Sequence, residues 1–182
     1  MKASPVQMLQ LFFKKVNVEF DPRHAPEEVP NPLTNVFTFD GVSLNTEVTF
    51  SEADLSHERG QLYAVSVRLL IQNEAEESPT VKFSPYKLDV AADALILVVK
   101  GAEKLNPPED LALVNGASLL WSAIREQVLN ITSRMQAGPV MLPTVHFHDL
   151  KKAAPSPAAI KEDVASKKLS APKARVSRKT AE

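Results

Sequence analysis

Residues 117 to 150, ASLLWSAIREQVLNITSRMQAGPVMLPTVHFHDL, constrain the fold most, because they predict one long amphipathic helix with a fixed end. Apolar side chains recur at Leu120, Ile124, Val128, Ile131 and Met135, the three- and four-residue spacing that lines one side of an α-helix. Gly138-Pro139 ends it: glycine accepts the left-handed conformation, and proline lacks the N–H that would continue the ladder. Such a helix needs a surface to cover, and the residues before it must supply one.

That surface reads as a sheet. Residues 7 to 20 predict a strand in which Leu9, Leu11 and Phe13 share one parity and Val16, Val18 and Phe20 the other. A change of parity turns the buried face over, which predicts a β-bulge near Lys14-Lys15. Residues 21 to 35 hold four prolines and no period, the mark of a long crossover loop. Period-two alternation resumes through Val42, Leu44, Thr46, Val48 and Phe50, and again through Tyr63, Val65, Val67, Leu69 and Ile71, with NEAEESP closing the latter strand. Tyr86, Leu88 and Val90 begin a fourth strand that resumes as Leu95 to Val99 after a charged break at Asp93. Asn106-Pro107-Pro108-Glu109-Asp110 predicts a helix start, with Asn106 as cap and acids at the positive end of the dipole. A short helix to about Asn115 is expected to break at Gly116 before the long one begins. The order, strands first and helices last, predicts an α+β fold: a four-stranded antiparallel sheet with a short and a long C-terminal helix on one face.

The 182 residues suffice for one core. The expected division is a domain over 1–150 and a disordered tail over 151–182, rich in Ala, Pro and Lys and poor in large apolar residues. Charge splits at the same place: residues 1–150 carry 12 Lys and Arg against 19 Asp and Glu, and residues 151–182 carry 9 against 3. An acidic body argues against nucleic-acid binding by the folded part, because phosphate contacts need clustered cations. The absence of cysteine removes disulfides, thiolate nucleophiles and Cys-based zinc sites. No apolar run approaches the roughly 18 residues that span a bilayer, and a cytoplasmic chain is expected.

The sequence holds no Gly-rich phosphate loop and no GxSxG elbow, and neither a cofactor nor catalysis is expected. One local constellation, His146 and His148 at i, i+2, could share a metal, but a site needs three or four ligands. A small metal-binding protein or enzyme using these histidines and Glu126 is the alternative of another class. Arg125 and Glu126 are adjacent on the helix and do not face each other, so both read as structural. More informative is a surplus of apolar residues. Leu119 and Trp121 beside the helical stripe, the extended VMLPTVHFHDL, Phe12, Phe13, Phe37 and Phe39 exceed what one helix on one sheet face can cover. A surplus of this kind predicts an oligomer interface or a binding groove.

The residues that carry this surplus resemble the SecB protein-export chaperones. That family has an aromatic, then Ala-Arg-Glu, a helix ending near Ser-Arg, and an extended Leu-x-Pro-Val-Asn-Phe-x-x-Leu. The matching positions here are Trp121, Ile124-Arg125-Glu126, Ser133-Arg134 and Leu142-Pro143-Thr144-Val145-His146-Phe147-His148-Asp149-Leu150. The resemblance covers about residues 7 to 150. It implies a dimer of dimers joined through the first strand and the helices, acting as an ATP-independent holdase for unfolded or secretory clients. The implied client groove falls on Phe12, Phe13, Phe20, Phe37, Trp121, Val140, Leu142 and Phe147. Delivery to the translocase motor SecA would dock on acids such as Asp21 and Asp89. A narrower version of the same role serves one partner, such as an antitoxin. The chain departs from the family at Met135-Gln136-Ala137-Gly138-Pro139, where Gly-x-Phe-Pro is usual, at His146 for Asn, and at Asn115-Gly116 for a Cys-Pro break. Lys87 stands where an apolar residue is preferred and Asn17 where an acid is common, which weakens an interface built on negative charge.

Overall fold

The computed structural model describes residues 4–24, 37–73 and 82–151. The expected crossover loop from residue 25 to 35, the acidic turn from residue 74 and the tail from residue 152 lie outside the described residues. Four strands, β1 (Val6–Phe20), β2 (Asn45–Asp54), β3 (Gly60–Ile71) and β4 (Tyr86–Val99), form one antiparallel sheet in the order β1-β4-β3-β2. One helix, α1 (Pro108–Thr132), lies on one face, so the fold is α+β as the order of elements predicts.

Alternation builds the two faces. On β3, Tyr63, Val65, Val67, Leu69 and Ile71 are buried, and on β4 the same holds for Tyr86, Leu88, Val90, Ala92, Ala94, Ile96 and Val98. Directly opposed residues of antiparallel strands share a face. The register therefore puts Val6, Met8, Leu11, Phe13, Val16, Val18 and Phe20 of β1 on the helix side with this core. Keeping both Phe13 and Val16 on that side requires the register shift between Phe13 and Lys15, the bulge that the parity change predicts. A second shift, between Met8 and Gln10, leaves no trace in the sequence pattern because Met8, Leu9 and Leu11 are all apolar. The Asp93 break does not interrupt β4. Its side chain points away from the helix and pairs with Lys14.

The predicted short and long helices are a single helix, and Gly116 is a point of close approach within it. A Cβ at Gly116 would lie 2.9 Å from Val65 Cγ2 and 3.0 Å from Ile96 Cγ1. Glycine lowers helix propensity by about 1 kcal/mol relative to alanine, and here it lets the helix backbone sit directly on β3 and β4. Replacing Gly116 with leucine is expected to destabilise the fold by about 1–3 kcal/mol through overpacking, seen as an earlier urea midpoint. An unchanged midpoint would mean that α1 rests less closely on the sheet.

The helix ends differ from the sequence reading too. Pro108 and the acids Glu109 and Asp110 open the first turn as expected, but the cap position is Pro107 and makes no side-chain hydrogen bond. At the other end α1 stops at Thr132 and continues as tight turns in which Arg134 N–H donates to Ile131 O and Met135 N–H to Thr132 O. Met135 thus lies beyond the helix, and Gly138, at φ 79°, redirects the chain.

Candidate functional site

After Gly138 the chain runs back along the helix, and side chains hold its backbone in place. The Thr132 hydroxyl accepts from Val140 N–H at 3.0 Å while donating to Val128 O at 2.8 Å. Arg125 Nε donates to Leu142 O at 2.8 Å, and Trp121 Nε1 to Pro143 O at 2.9 Å. Tyr86 of β4 donates its hydroxyl to Gly138 O at 2.8 Å. Residues 121, 125 and 132 recur at helical spacing, so one side of α1 carries the three staples. Pinned in this way, Val140, Leu142 and Phe147 are buried, and Phe147 meets Trp121 edge-on at 6.2 Å between centroids. Arg125 accordingly has the structural role that its sequence setting suggests, while Glu126 is exposed.

The eight residues assigned to a client groove fall into three places. Trp121, Val140, Leu142 and Phe147 join the core, and Phe37 is half-buried beside them, bridged to Val140 by a parallel β-bridge. Phe13 and Phe20 are half-buried on the helix side of β1, with Phe20 edge-on to Tyr86 at 6.3 Å. Phe12 stands alone on the opposite face of the sheet, across from Asp93, and is 46% exposed. The apolar side chains most open to solvent include several that sequence reasoning passed over. Met8 and Val16 are each 39% exposed on the helix side of β1, Leu119 is 39% exposed on α1, and Met141 and Phe83 are open as well. A strand residue awaiting a partner and one already in a core share the same alternation, so periodicity carries no signal that separates them.

Around Phe37 the aromatic rings are dressed with cations. His24 and Phe39 meet it edge-on at 5.8 and 5.2 Å, and Lys82 Nζ lies 4.6 Å from its centroid. Lys82 also donates to Thr38 O at 3.1 Å, fastening the entry to β2. Burial, helped by the nearby Lys82 charge, pulls the His24 imidazole below its ordinary value. Arg23 covers Phe83 in the same manner at 5.2 Å.

The two acids assigned to motor docking are both engaged within the chain. Asp21 is 1% exposed; Arg23 donates to it through Nε at 3.0 Å and NH2 at 2.7 Å, and Asn73 Nδ2 donates at 2.9 Å. Arg23 holds this carboxyl well below the usual range against the opposing effect of burial, and Asn73 adds to it. The network ties the start of the crossover to the end of β3, and Asn73 extends it to β4 through Ser84. Asp89 accepts from Arg68 Nε at 2.9 Å and from Lys15 at 2.5 Å. With Glu47 3.7 Å from Arg68, these residues form a row across all four strands, on the face away from α1. Arg68, then Lys15, pull Asp89 down to about 2 against its burial.

Both carboxyls are depressed in the fold, so their stabilisation is present above the unfolded value of about 3.9 and is lost as pH falls through the folded value. For Asp89 that window runs from roughly pH 4 down to about 2. Thermal melts are expected to be flat from pH 7 to 5 and to drop steeply below 4. Asp89→Asn should melt lower than the parent at pH 7 and converge with it near pH 2. Parallel curves at every pH would show that the Asp89 pairing contributes nothing to stability.

Among the described residues no three His, Cys, Asp or Glu side chains gather as a metal site; His146 and His148 are exposed. No helix among them is long and apolar enough to cross a membrane.

No family model matches the chain, and no curated protein matches it. Among solved structures it is similar to a SecB-like chaperone of Mycobacterium tuberculosis in complex with a ChAD peptide from the HigA1 antitoxin. The two share 19% identity over 77% of this chain and 90% of the other, with a TM-score of 0.40.

Proposed function

We propose that this chain is a SecB-like holdase of the cytoplasm, keeping extended polypeptides from aggregating without ATP by covering their apolar residues. The observation that carries the reading is a filled core accompanied by a second set of large apolar side chains left open. Met8, Leu9, Phe12 and Val16 on β1 and Leu119 on α1 are all exposed although β3, β4 and the buried side of α1 already pack a complete interior. Soluble chains keep such surface for partners. In the proposed assembly, a homotetramer built as a dimer of dimers, the β1 and α1 surfaces meet other copies, and Phe37, Met141 and their neighbours remain for clients.

Delivery to a SecA-type motor is the part of the role with least support. Asp21 is buried and Asp89 is neutralised by Arg68 and Lys15, so neither offers a free negative charge. A chaperone dedicated to one partner, such as an antitoxin, needs no acidic docking surface, and these engaged acids favour that narrower reading. The test combines native mass spectrometry with light scattering from an aggregating unfolded protein. A tetramer that suppresses scattering without ATP is expected. A monomer that leaves scattering unchanged would sink the proposal, and retention of SecA by the purified protein would restore the export role.

A further inference from the structure

We infer that the extended segment Leu142–Phe147 is a strand-addition edge, where an extended client segment binds through its main chain. The inference rests on the holdase reading and names where and how the client is held. Its starting point is that the segment is extended without being part of the sheet, with a single β-bridge, Phe37 to Val140, at its beginning. The chain thus already lays one residue of another segment alongside this one, in parallel. Past that rung, the N–H groups of Leu142, Thr144, Val145, His146 and Phe147 have no hydrogen-bond partner among the described residues. Main-chain donors in that state are either solvated or waiting for an acceptor.

What makes the edge suited to binding is that its shape does not depend on a partner strand. Side chains of α1 accept or donate at Val140 N–H, Leu142 O and Pro143 O, and the buried Leu142 and Phe147 anchor the two ends. The segment is therefore held in place before any client arrives, which removes much of the ordering cost of strand addition. Thr144 and His146 point outward, and Met141, 45% exposed, offers an apolar contact at the end next to the existing rung. Main-chain pairing gives affinity without demanding a sequence, as a holdase for extended segments requires.

The experiment uses the full chain and two fluorescein-labelled decapeptides of alternating Leu and Ser, one with ordinary amides and one N-methylated at alternate residues. Reduced, carboxymethylated α-lactalbumin serves as an unfolded protein probe. The ordinary peptide is expected to bind at least tenfold more tightly than the methylated one. Thr144→Pro, which removes one N–H, should weaken the ordinary peptide about tenfold, while Thr144→Val should not; Trp121 fluorescence reports that the segment stays docked in both. Equal affinity for the two peptides, or α-lactalbumin binding indifferent to Thr144→Pro, overturns the inference and leaves the holdase reading standing. A change in native mass rather than in peptide affinity assigns the edge to a second copy of the chain and overturns it too. Failure of all three probes to bind removes both.

Discussion

Replacing Trp121 with alanine is expected to destabilise the protein by about 3–5 kcal/mol, the cost typical of truncating a buried aromatic side chain. Trp121 is 3% exposed, packs edge-on to Phe147 and donates to Pro143 O, so its loss opens a cavity and frees one end of the returning segment. Urea unfolding measures the first effect. Hydrogen exchange at Thr144 to Phe147 measures the second, and should quicken in conditions where the sheet amides stay protected. Trp121→Phe separates the contributions: it keeps most of the packing and removes the indole N–H, a loss of about 1 kcal/mol. A residue used as an open client contact would behave otherwise, with Trp121→Ala nearly neutral in stability and costly only in binding. A destabilisation below about 1 kcal/mol would return Trp121 to the groove to which the sequence assigns it.

That contrast marks the boundary of what the residues disclose on their own. The alternating strands, their antiparallel arrangement, the helical stripe and the bulge at Lys14-Lys15 are legible because each is a local period or a break in one. Gly116 misleads because its low helix propensity is a local fact, whereas the nearness of Val65 and Ile96 that selects it is a tertiary one. Asp21 reads as a surface acid for the same reason: its partner Asn73 lies 52 residues away, and nothing near Asp21 announces it. The burial of Val140, Leu142 and Phe147 depends on Thr132, Arg125 and Trp121 reaching backbone atoms, and a hydrophobicity pattern does not record side-chain-to-backbone bonds. The apolar surplus itself was legible, but its division between core and open surface was not. Both β1 and the returning segment are apolar; the helix and its staples cover the second and only part of the first.

Val16→Asp is expected to leave the single chain folded while abolishing its assembly, and with it the suppression of client aggregation. Val16 lies on the helix side of β1, opposite the fully buried Val90, yet is 39% exposed, so a carboxylate there can reach water from an isolated chain. At a subunit interface the same charge would be buried without a partner, which costs several kcal/mol and suffices to disperse a tetramer. The edge strand is otherwise open to pairing. Lys14 and Lys15, the residue type that usually guards an exposed edge, are folded back onto Asp93 and Asp89 by the bulge, each at 2.5 Å, and present neutralised charges to an incoming strand. Native mass spectrometry should therefore show the parent as a tetramer and Val16→Asp as a smaller species with an unchanged circular dichroism spectrum. Val90→Asp, the buried counterpart, should fail to fold. An assembled Val16→Asp protein would show that β1 meets no other copy and that its open apolar surface serves the client directly.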